Sequence, residues 1–421
     1  MSIYQYETAF GAADKTSRKM RQAMEDWEEI YYGTGAGDPC QRIAYTVVSK
    51  LVSAVFGECQ TTVDPALMPL VNMGREALQR LLMAGECYIK PCPTETGFSF
   101  TLMPRQNMLV FARDAFGRPS DIGTAEKSTY GKHYFTLLER RQVEGEDLII
   151  QNTLYRSNDA ETLGSPVSLS SHPLYGGLAE RYRFEGVGGL GLVGMKVPIL
   201  NCVDGSPDGV AIFAPAAALI RNIDKNEEQL CGEFSRGESR VFASADLLDG
   251  QNGLSDHLFV GLDDDPETVG ITLFSPQLRQ SAYLARKQEY LRNVESIIGL
   301  RRGMLSDAQI EDRTATEITS SAADFNLLVI ACQQVWETAV RQTAALCGLL
   351  SQMYRLPKVR AEVSFDWGNG VLFDEDKTWE DYMEMVKGGL IAPEVALGWR
   401  LNMPSETEGE RKAIREKYMQ L

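Results

Sequence analysis

The chain has only three histidines in 421 residues, His133, His172 and His257, and they are scattered. None lies in an H-E-x-x-H pattern, and no G-x-S-x-G elbow offers a serine nucleophile. The eight cysteines, Cys40, Cys59, Cys87, Cys92, Cys202, Cys231, Cys332 and Cys347, include no C-x-x-C pair. The nearest two, Cys87 and Cys92, flank Tyr-Ile-Lys-Pro in a strand-like segment and would point to opposite faces. Reduced, mostly buried thiols are therefore expected, not a zinc site. Apolar runs fall well short of the roughly 20 residues that span a bilayer, and no apolar stretch follows a basic N-terminus. Neither a membrane span nor a signal peptide is expected. Basic residues are also in deficit, with 42 Lys and Arg against 58 Asp and Glu and a net charge of -16. That balance speaks against a wholly basic nucleic-acid clamp, which needs an excess of cations to neutralise phosphates. These deficits weaken the enzyme classes, and no catalytic residue, metal ligand or cofactor is assigned.

What remains is ordinary for a folded protein, with 44% apolar and 24% charged residues. The length suggests two to four structural units. Residues 14–84 read as three helices. Met20, Met24, Trp27 and Tyr31 form the first stripe, and Ile43, Val47, Leu51 and Val55 the second. Asp64-Pro65 starts the third, which continues through Leu67, Leu70, Leu78, Leu81 and Leu82. Residues 86–156 switch to strand-like segments, Phe98–Met103, Met108–Ala112, His133–Leu138 and Leu148–Tyr155, separated by turns such as Asp114–Gly117. An antiparallel meander is expected there, then long surface connections over the Gly-, Ser- and Pro-rich residues 157–208.

Residues 209–235 read as a helix with Ile212, Ala216, Leu219, Ile223, Leu230 and Phe234 along one stripe. Short strands and polar turns follow over 238–275. A second helix, 277–298, carries Leu284, Leu291, Val294 and Ile298. Two helices thus flank a small insert. A polar connection, 299–313, leads into the strongest periodic signal: Ile318, Ala322, Phe325, Val329, Cys332, Trp336, Ala339, Thr343, Leu346 and Leu350 alternate steps of four and three. That helix would be about 50 Å long. Leu327, Leu328 and Ile330 add apolar surface elsewhere and predict burial on more than one side. A strand over 360–366 and short helices around Gly388-Gly389 and Pro393 end the chain, with a charged tail from 405, mobile at its end. The fold class is α+β.

Gly189-Leu-Gly-Leu-Val-Gly194 matches G-x-G-x-x-G, but Met-Lys-Val-Pro198 follows and no βαβ unit surrounds it, so a loop is expected, not a nucleotide site. Asp263, Asp264 and Asp265 lack the ligand spacing of an EF-hand and read as a solvated acidic turn. Asp374-Glu-Asp376 reads as the cap of a helix over 377–386. In Arg313–Ala322, Thr314 or Thr316 can cap the long helix with Glu317 in its first turn. Arg301, Arg302 and Arg313 cluster in the connection before it. A solvated loop accounts for them; so does a phosphate-contacting loop, because the Arg fork matches phosphate oxygens.

Several stretches, in this order, resemble the portal proteins of tailed bacteriophages, of the kind found in phages of Gram-positive hosts. His133-Tyr-Phe-Thr-Leu-Leu-Glu139 with Ile150–Tyr155 resembles paired strands of that family's wing. Gly205–Ala216 resembles the entry to its first stem helix, and Glu233-Phe234 with Arg240-Val-Phe242 the exit into its clip. Gly299-Leu-Arg-Arg-Gly-Met-Leu-Ser306 followed by Thr314-Ala-Thr-Glu-Ile318 is the most specific run, and Phe373–Lys377 with Gly389-Leu-Ile391 matches the C-terminal segment. The likeness covers roughly residues 20–410.

The resemblance implies a ring, usually of about twelve copies, at one capsid vertex of the virion, with double-stranded viral DNA passing along its axis. It divides the chain into wing (1–208), first stem helix (209–236), clip (237–276), second stem helix (277–298), tunnel loop (299–315), wing helix and strand (316–375) and C-terminal helices forming a small crown (376–421). Ile212, Leu219, Ile223, Leu230, Leu284, Leu291, Val294 and Ile298 would pack the stem. Asp263, Asp264 and Asp265 would form an acidic clip loop. Arg301, Arg302 and Arg313 would be the DNA contacts, although a polar and an aromatic residue are usual where Arg301 and Arg302 stand. The implied partners are further copies of the chain, the terminase large subunit, a head–tail adaptor, the major capsid protein and a scaffold, without a membrane. Assembly would take place in the host bacterial cytoplasm. A portal has no active site. The alternatives are a different head–tail connector or adaptor, a class usually much shorter, and a soluble enzyme built around His257 and Asp263–Asp265.

Overall fold

Each early apolar stripe finds an inward face. In the computed structural model, which describes residues 3–35, 37–94, 97–236, 240–244, 259–262, 272–274, 277–307, 315–368, 375–401 and 403–419, a short helix α1 (Ile3–Phe10) precedes α2 (Arg18–Tyr32). Ser17 caps α2 by accepting the Met20 amide at 3.1 Å, and Met20, Met24, Trp27, Ile30 and Tyr31 are buried. Helix α3 (Ile43–Val55) buries Val47, Leu51 and Val55 as expected. The third expected helix is broken. After strand β1 (Gln60–Thr62), Asp64 caps a 3₁₀ turn over Pro65–Leu67, and α4 (Met68–Asn72) and α5 (Gly74–Ala84) follow. Gly74 restarts the helix where a Cβ would stand 3.0 Å from the Trp336 ring and 3.2 Å from Phe56, so the break lies where two aromatic rings reach the backbone.

The period then changes as the sequence predicts, with one strand, Pro119–Tyr130, that the sequence reading does not mark. β2 (Glu86–Pro93) pairs with β3 (Phe98–Pro104), and β4 (Met108–Arg113), β5 (Pro119–Tyr130), β6 (His133–Glu144) and β7 (Asp147–Ser157) form an antiparallel meander. The connections expected over 157–208 are in part strands. β8 (Ser165–Val167) and β9 (Arg181–Phe184) both pair with β7, and β10 (Val193–Lys196) pairs with β2. Three- and four-residue strands are too short to show a period, which is why composition masks them. His172, Leu169 and Tyr175 are buried in the same stretch.

A 3₁₀ turn at Ala214–Ala216 leads into α6 (Ala217–Arg236). Backbone is described for β11 (Arg240–Ser244), β12 (Phe259–Leu262) and β13 (Thr272–Phe274), a small mixed sheet with β11 central, parallel to β12 and antiparallel to β13. Helix α7 (Gln280–Ile298) returns along α6. Helix α8 (Ala315–Tyr354) has 40 residues, about 60 Å at 1.5 Å per residue. Phe325, Val329, Cys332, Trp336, Ala339, Thr343 and Leu350 are buried along it, as the four–three spacing predicts, and they share one core with α2, α3, α5, β2 and α7. Of the three residues expected to add buried surface on other sides, Leu328 and Ile330 are half-buried and Leu327 is 65% exposed.

β14 (Ser364–Asp366) pairs with β1, a shorter strand than 360–366. α9 (Glu375–Lys387), α10 (Pro393–Arg400) and α11 (Glu408–Tyr418) end the fold. From 405 to 419 the charged tail is folded: Thr407 and Glu410 form a capping box, Ile414 is fully buried and Arg415 pairs with Glu394 at 2.5 Å, while the end expected to be mobile, 420–421, lies outside the described residues. The chain is thus α+β with sheets that are antiparallel apart from one pair. No described helix is long and apolar enough to cross a membrane.

Candidate functional site

The helix pair α6/α7 and the loop after it gather most of the residues singled out in the sequence. Three polar links show that the helices run antiparallel. Arg279 pairs with Glu233 through Nη2–Oε2 at 2.6 Å and Nε–Oε1 at 2.9 Å, Asn226 Nδ2 donates to the Tyr283 carbonyl at 3.1 Å, and Lys287 Nζ lies 3.0 Å from Glu227 Oε2. As one helix ascends in number the other descends. Lys287 also donates to Gln41 at 2.9 Å, and Arg221 Nη2 reaches Asp26 at 3.1 Å, so the pair is tied to α2 and its following loop. The bidentate Arg279 fork holds the half-buried Glu233 carboxyl below its ordinary range.

The stem-packing residues are only partly brought together. Ile223, Leu230, Leu291, Val294 and Ile298 are buried and Leu219 is half-buried. Ile212 is buried too, but on the approach to the helix, where its amide donates to the Leu82 carbonyl at 2.9 Å. Leu284 is not packed; it is 44% exposed. Along α7, Lys287, Leu291, Val294 and Ile298 turn inward; Leu284 lies seven residues before Leu291, within about 20° of it around the helix, but two turns nearer the start of α7, where most residues are exposed. On α6, Phe234 is likewise 43% exposed, while Ile220 joins the buried face.

Gly299 closes α7 in the left-handed region, φ 81° and ψ 29°, where glycine carries no Cβ penalty. The amides of Gly299 and Leu300 both donate to the Glu295 carbonyl, at 3.0 and 2.8 Å. The chain turns through Arg301, Arg302 and Gly303, all exposed, and comes back. The fully buried Glu295 carboxylate receives it: Leu305 N at 2.6 Å and Ser306 N at 2.9 Å donate to Oε1, and Ser306 Oγ at 2.8 Å to Oε2. Asp307 N donates to Gln288 Oε1 at 2.8 Å. The Arg301 guanidinium lies 5.7 Å from the centroid of the Phe325 ring on α8. Residues 299–307 are therefore an anchored turn. Arg313 and Thr314, the acidic residues Asp263, Asp264 and Asp265, and His257 and Asp374 lie outside the described residues, as do the side chains of Thr316, Glu317, Glu375 and Asp376. Glu295 escaped sequence reasoning. Its signal was a carboxylate set among Leu291, Val294 and Ile298, followed by Gly299 and a returning serine.

A second polar cluster fixes the approach to α6. Arg105, fully buried, donates to Thr16 Oγ1 and the Met108 carbonyl at 2.7 Å and to Asp208 Oδ1 at 3.0 Å. Arg113 adds a 2.7 Å bond to the same oxygen. Glu86 accepts the Gly209 amide at 2.7 Å and the Tyr88 hydroxyl at 3.0 Å. Burial pushes the Glu86 carboxyl up against the pull of Arg105. At Asp208 burial acts the same way, but Arg105 and Arg113 outweigh it and the carboxyl is held low.

The G-x-G-x-x-G run leads into a strand, β10, not a helix N-terminus. Arg141 Nη1 donates to the carbonyls of Leu190 at 2.8 Å and Gly191 at 3.4 Å, presenting a cation to carbonyl oxygens where a phosphate site needs N–H groups. Among the described residues no group of His, Cys, Asp or Glu is arranged to hold a metal. No protein-family model matches the chain, and no curated protein is detectably similar to it in sequence.

Proposed function

We propose that the chain is the portal subunit of a tailed bacteriophage, forming a ring of about twelve copies at one capsid vertex, through which double-stranded DNA enters and leaves. The observation that carries the reading is one of order and geometry together. An antiparallel helix pair brackets a small sheet, and its second helix runs straight into an anchored, arginine-bearing turn and then a 40-residue helix. In this reading α6 and α7 are the stem, β11–β13 the clip, 299–307 the described part of the tunnel loop, and α9–α11 a small crown. The protein acts as conduit and docking platform for the terminase and the head–tail adaptor, without turnover of its own, in the virion.

Charge supports this. About twelve chains at -16 each would total about -192, and a ring of that sign repels a duplex and lets it slide, whereas each phosphate neutralised in a basic bore adds salt-dependent affinity. A few arginines on a loop then suffice for transient contact. The exposed Leu284, Phe234 and Leu327 supply apolar surface for a heterologous neighbour. Native mass spectrometry of the purified full chain tests the reading: a species near twelve or so times 46.7 kDa is expected, and a compact dimer or tetramer would count decisively against it. Replacing both Arg301 and Arg302 by Glu is expected to leave ring mass unchanged and reduce DNA per head; undiminished DNA per head would remove these arginines from the mechanism.

A further inference from the structure

We infer that Glu295 is the positioning residue of the arginine turn: it holds residues 300–306 as a preorganised unit that couples α7 to α8. Five donors converge on this one residue. Its carbonyl takes the amides of Gly299 and Leu300, and its carboxylate takes the amides of Leu305 and Ser306 and the Ser306 hydroxyl. The carboxylate is fully buried, so its bonds to the returning strand of the turn are charge-assisted and shielded from water. Between the two anchoring stretches stand Arg301, Arg302 and Gly303, and Arg301 reaches across to Phe325, itself only 6% exposed, on the long helix. The turn is therefore fixed to α7 by hydrogen bonds and to α8 by a cation–π contact. A displacement of either helix is passed to the arginines through a short rigid segment, with little slack for a loop to absorb it. That this places the arginines against DNA rests on the portal reading; the anchoring itself does not.

The test uses the purified full-length chain and three variants, Glu295→Ala, Glu295→Gln and Ser306→Ala. Hydrogen exchange is followed on peptides covering 300–307, and limited trypsin digestion is timed at Arg301 and Arg302, with Arg221 and Arg341, inside α6 and α8, as internal controls. Losing bonds to a buried charged acceptor predicts exchange and cleavage in the turn faster by about tenfold to a hundredfold for Glu295→Ala, with the controls unchanged. Glu295→Gln retains an acceptor oxygen for the two amides and is expected to give a smaller rise, a graded response that general destabilisation does not produce. If Glu295→Ala accelerates the controls as well, the decision passes to Glu295→Gln and Ser306→Ala. A rise confined to the turn in these supports the anchoring, and unchanged protection there overturns it. None of these readouts requires a ring. If the chain forms no ring, the portal reading fails and the anchoring is still decided. If a ring forms, variants with a loosened turn are expected to lose DNA per head at unchanged ring mass.

Discussion

Glu139 offers the most exacting test of the charge placement in the sheet. It stands on β6, where Lys90 Nζ reaches both of its oxygens at 2.8 and 2.7 Å and Arg141 Nε one of them at 2.7 Å. Burial alone would push this carboxyl up, but Arg141 and Lys90 outweigh it and hold it at about 2, against an ordinary 4.5. A carboxyl whose folded value is depressed contributes stability that is complete above about pH 4.5 and lost as the pH falls toward 2. By pH 3 the loss from this group is about 2 kcal/mol. Glu139→Gln removes the charge and leaves two cations facing a neutral amide, so at pH 7 it is expected to cost about 3 kcal/mol. Glutamine does not titrate. The gap between the two proteins should therefore shrink from about 3 kcal/mol at pH 7 to about 1 kcal/mol at pH 3. Equilibrium urea unfolding followed by far-UV circular dichroism at these two pH values measures it, and both lie away from the isoelectric point near 4.8, where an uncharged chain precipitates. A gap of the same size at both pH values would show that the stabilising carboxylate is not Glu139.

Three further outcomes are expected. Gly85→Ala should destabilise by about 3 kcal/mol or more, because φ is +83° and a Cβ would stand 2.6 Å from the Gly209 backbone, whereas Gly11→Ala, at φ +63° in open space, should cost about 1 kcal/mol in the same denaturation assay. Leu291→Asp, at a position 5% exposed, should cost about 3 kcal/mol or more, while Leu284→Asp, at one 44% exposed, should leave the isolated chain's stability unchanged and impair assembly seen by native mass spectrometry; equal stability losses would refute the inward face assigned to α7. Thiol titration of the native protein at pH 8 should show a fast phase from the exposed Cys202 and Cys231, and no reaction at Cys87, Cys332 and Cys347, whose thiols burial pushes to about 12; native-state reaction at any of these three would contradict its burial.

Long periodic features were legible in the sequence, because a stripe repeated over several turns averages out local exceptions. The run from Phe325 to Leu350 and the stripe from Met20 to Tyr31 lie where their spacing puts them. The meander was legible in part: β3, β4, β6 and β7 lie on the strand-like runs, but β5, of 12 residues, was not marked, and buried positions run consecutively in β5 and β6 with no clean alternation to reveal it. Failures occurred where one residue decides. Leu284 shares a face with Leu291, yet it sits two turns nearer the start of α7, where the helix has left the apolar core that takes in Leu291, Val294 and Ile298. The helix expected through residues 64–84 is interrupted at Met73, and it resumes at Gly74, a position where the rings of Trp336 and Phe56 leave no room for a side chain. Arg105 looks like a surface residue in a polar turn. It is fully buried because Asp208, 103 positions away, comes to meet it. No local pattern carries that information.

The two polar anchors occupy corresponding places, one where the chain enters α6 and one where it leaves α7. Apolar burial supplies most of the stabilisation of the core, but it is non-directional, and a smooth apolar contact tolerates sliding and rotation. A helix pair that leaves the core needs a defined angle and register, and directional bonds between buried groups supply them. At the entry, Glu86 grips the Gly209 amide while Arg105 and Arg113 share Asp208. At the exit, Glu295 grips the amides of Leu305 and Ser306. Each anchor is a buried charge satisfied by donors that come from elsewhere in the chain, so removing either member leaves an unpaired polar group inside, at a cost that apolar repacking cannot offset. The same logic explains the close approach of Gly85 to Gly209: two backbones without side chains meet where the entry is fixed, and no larger residue fits. Both anchors thus lie at the inner end of the helix pair, and the arginine turn is fastened there to both α7 and α8.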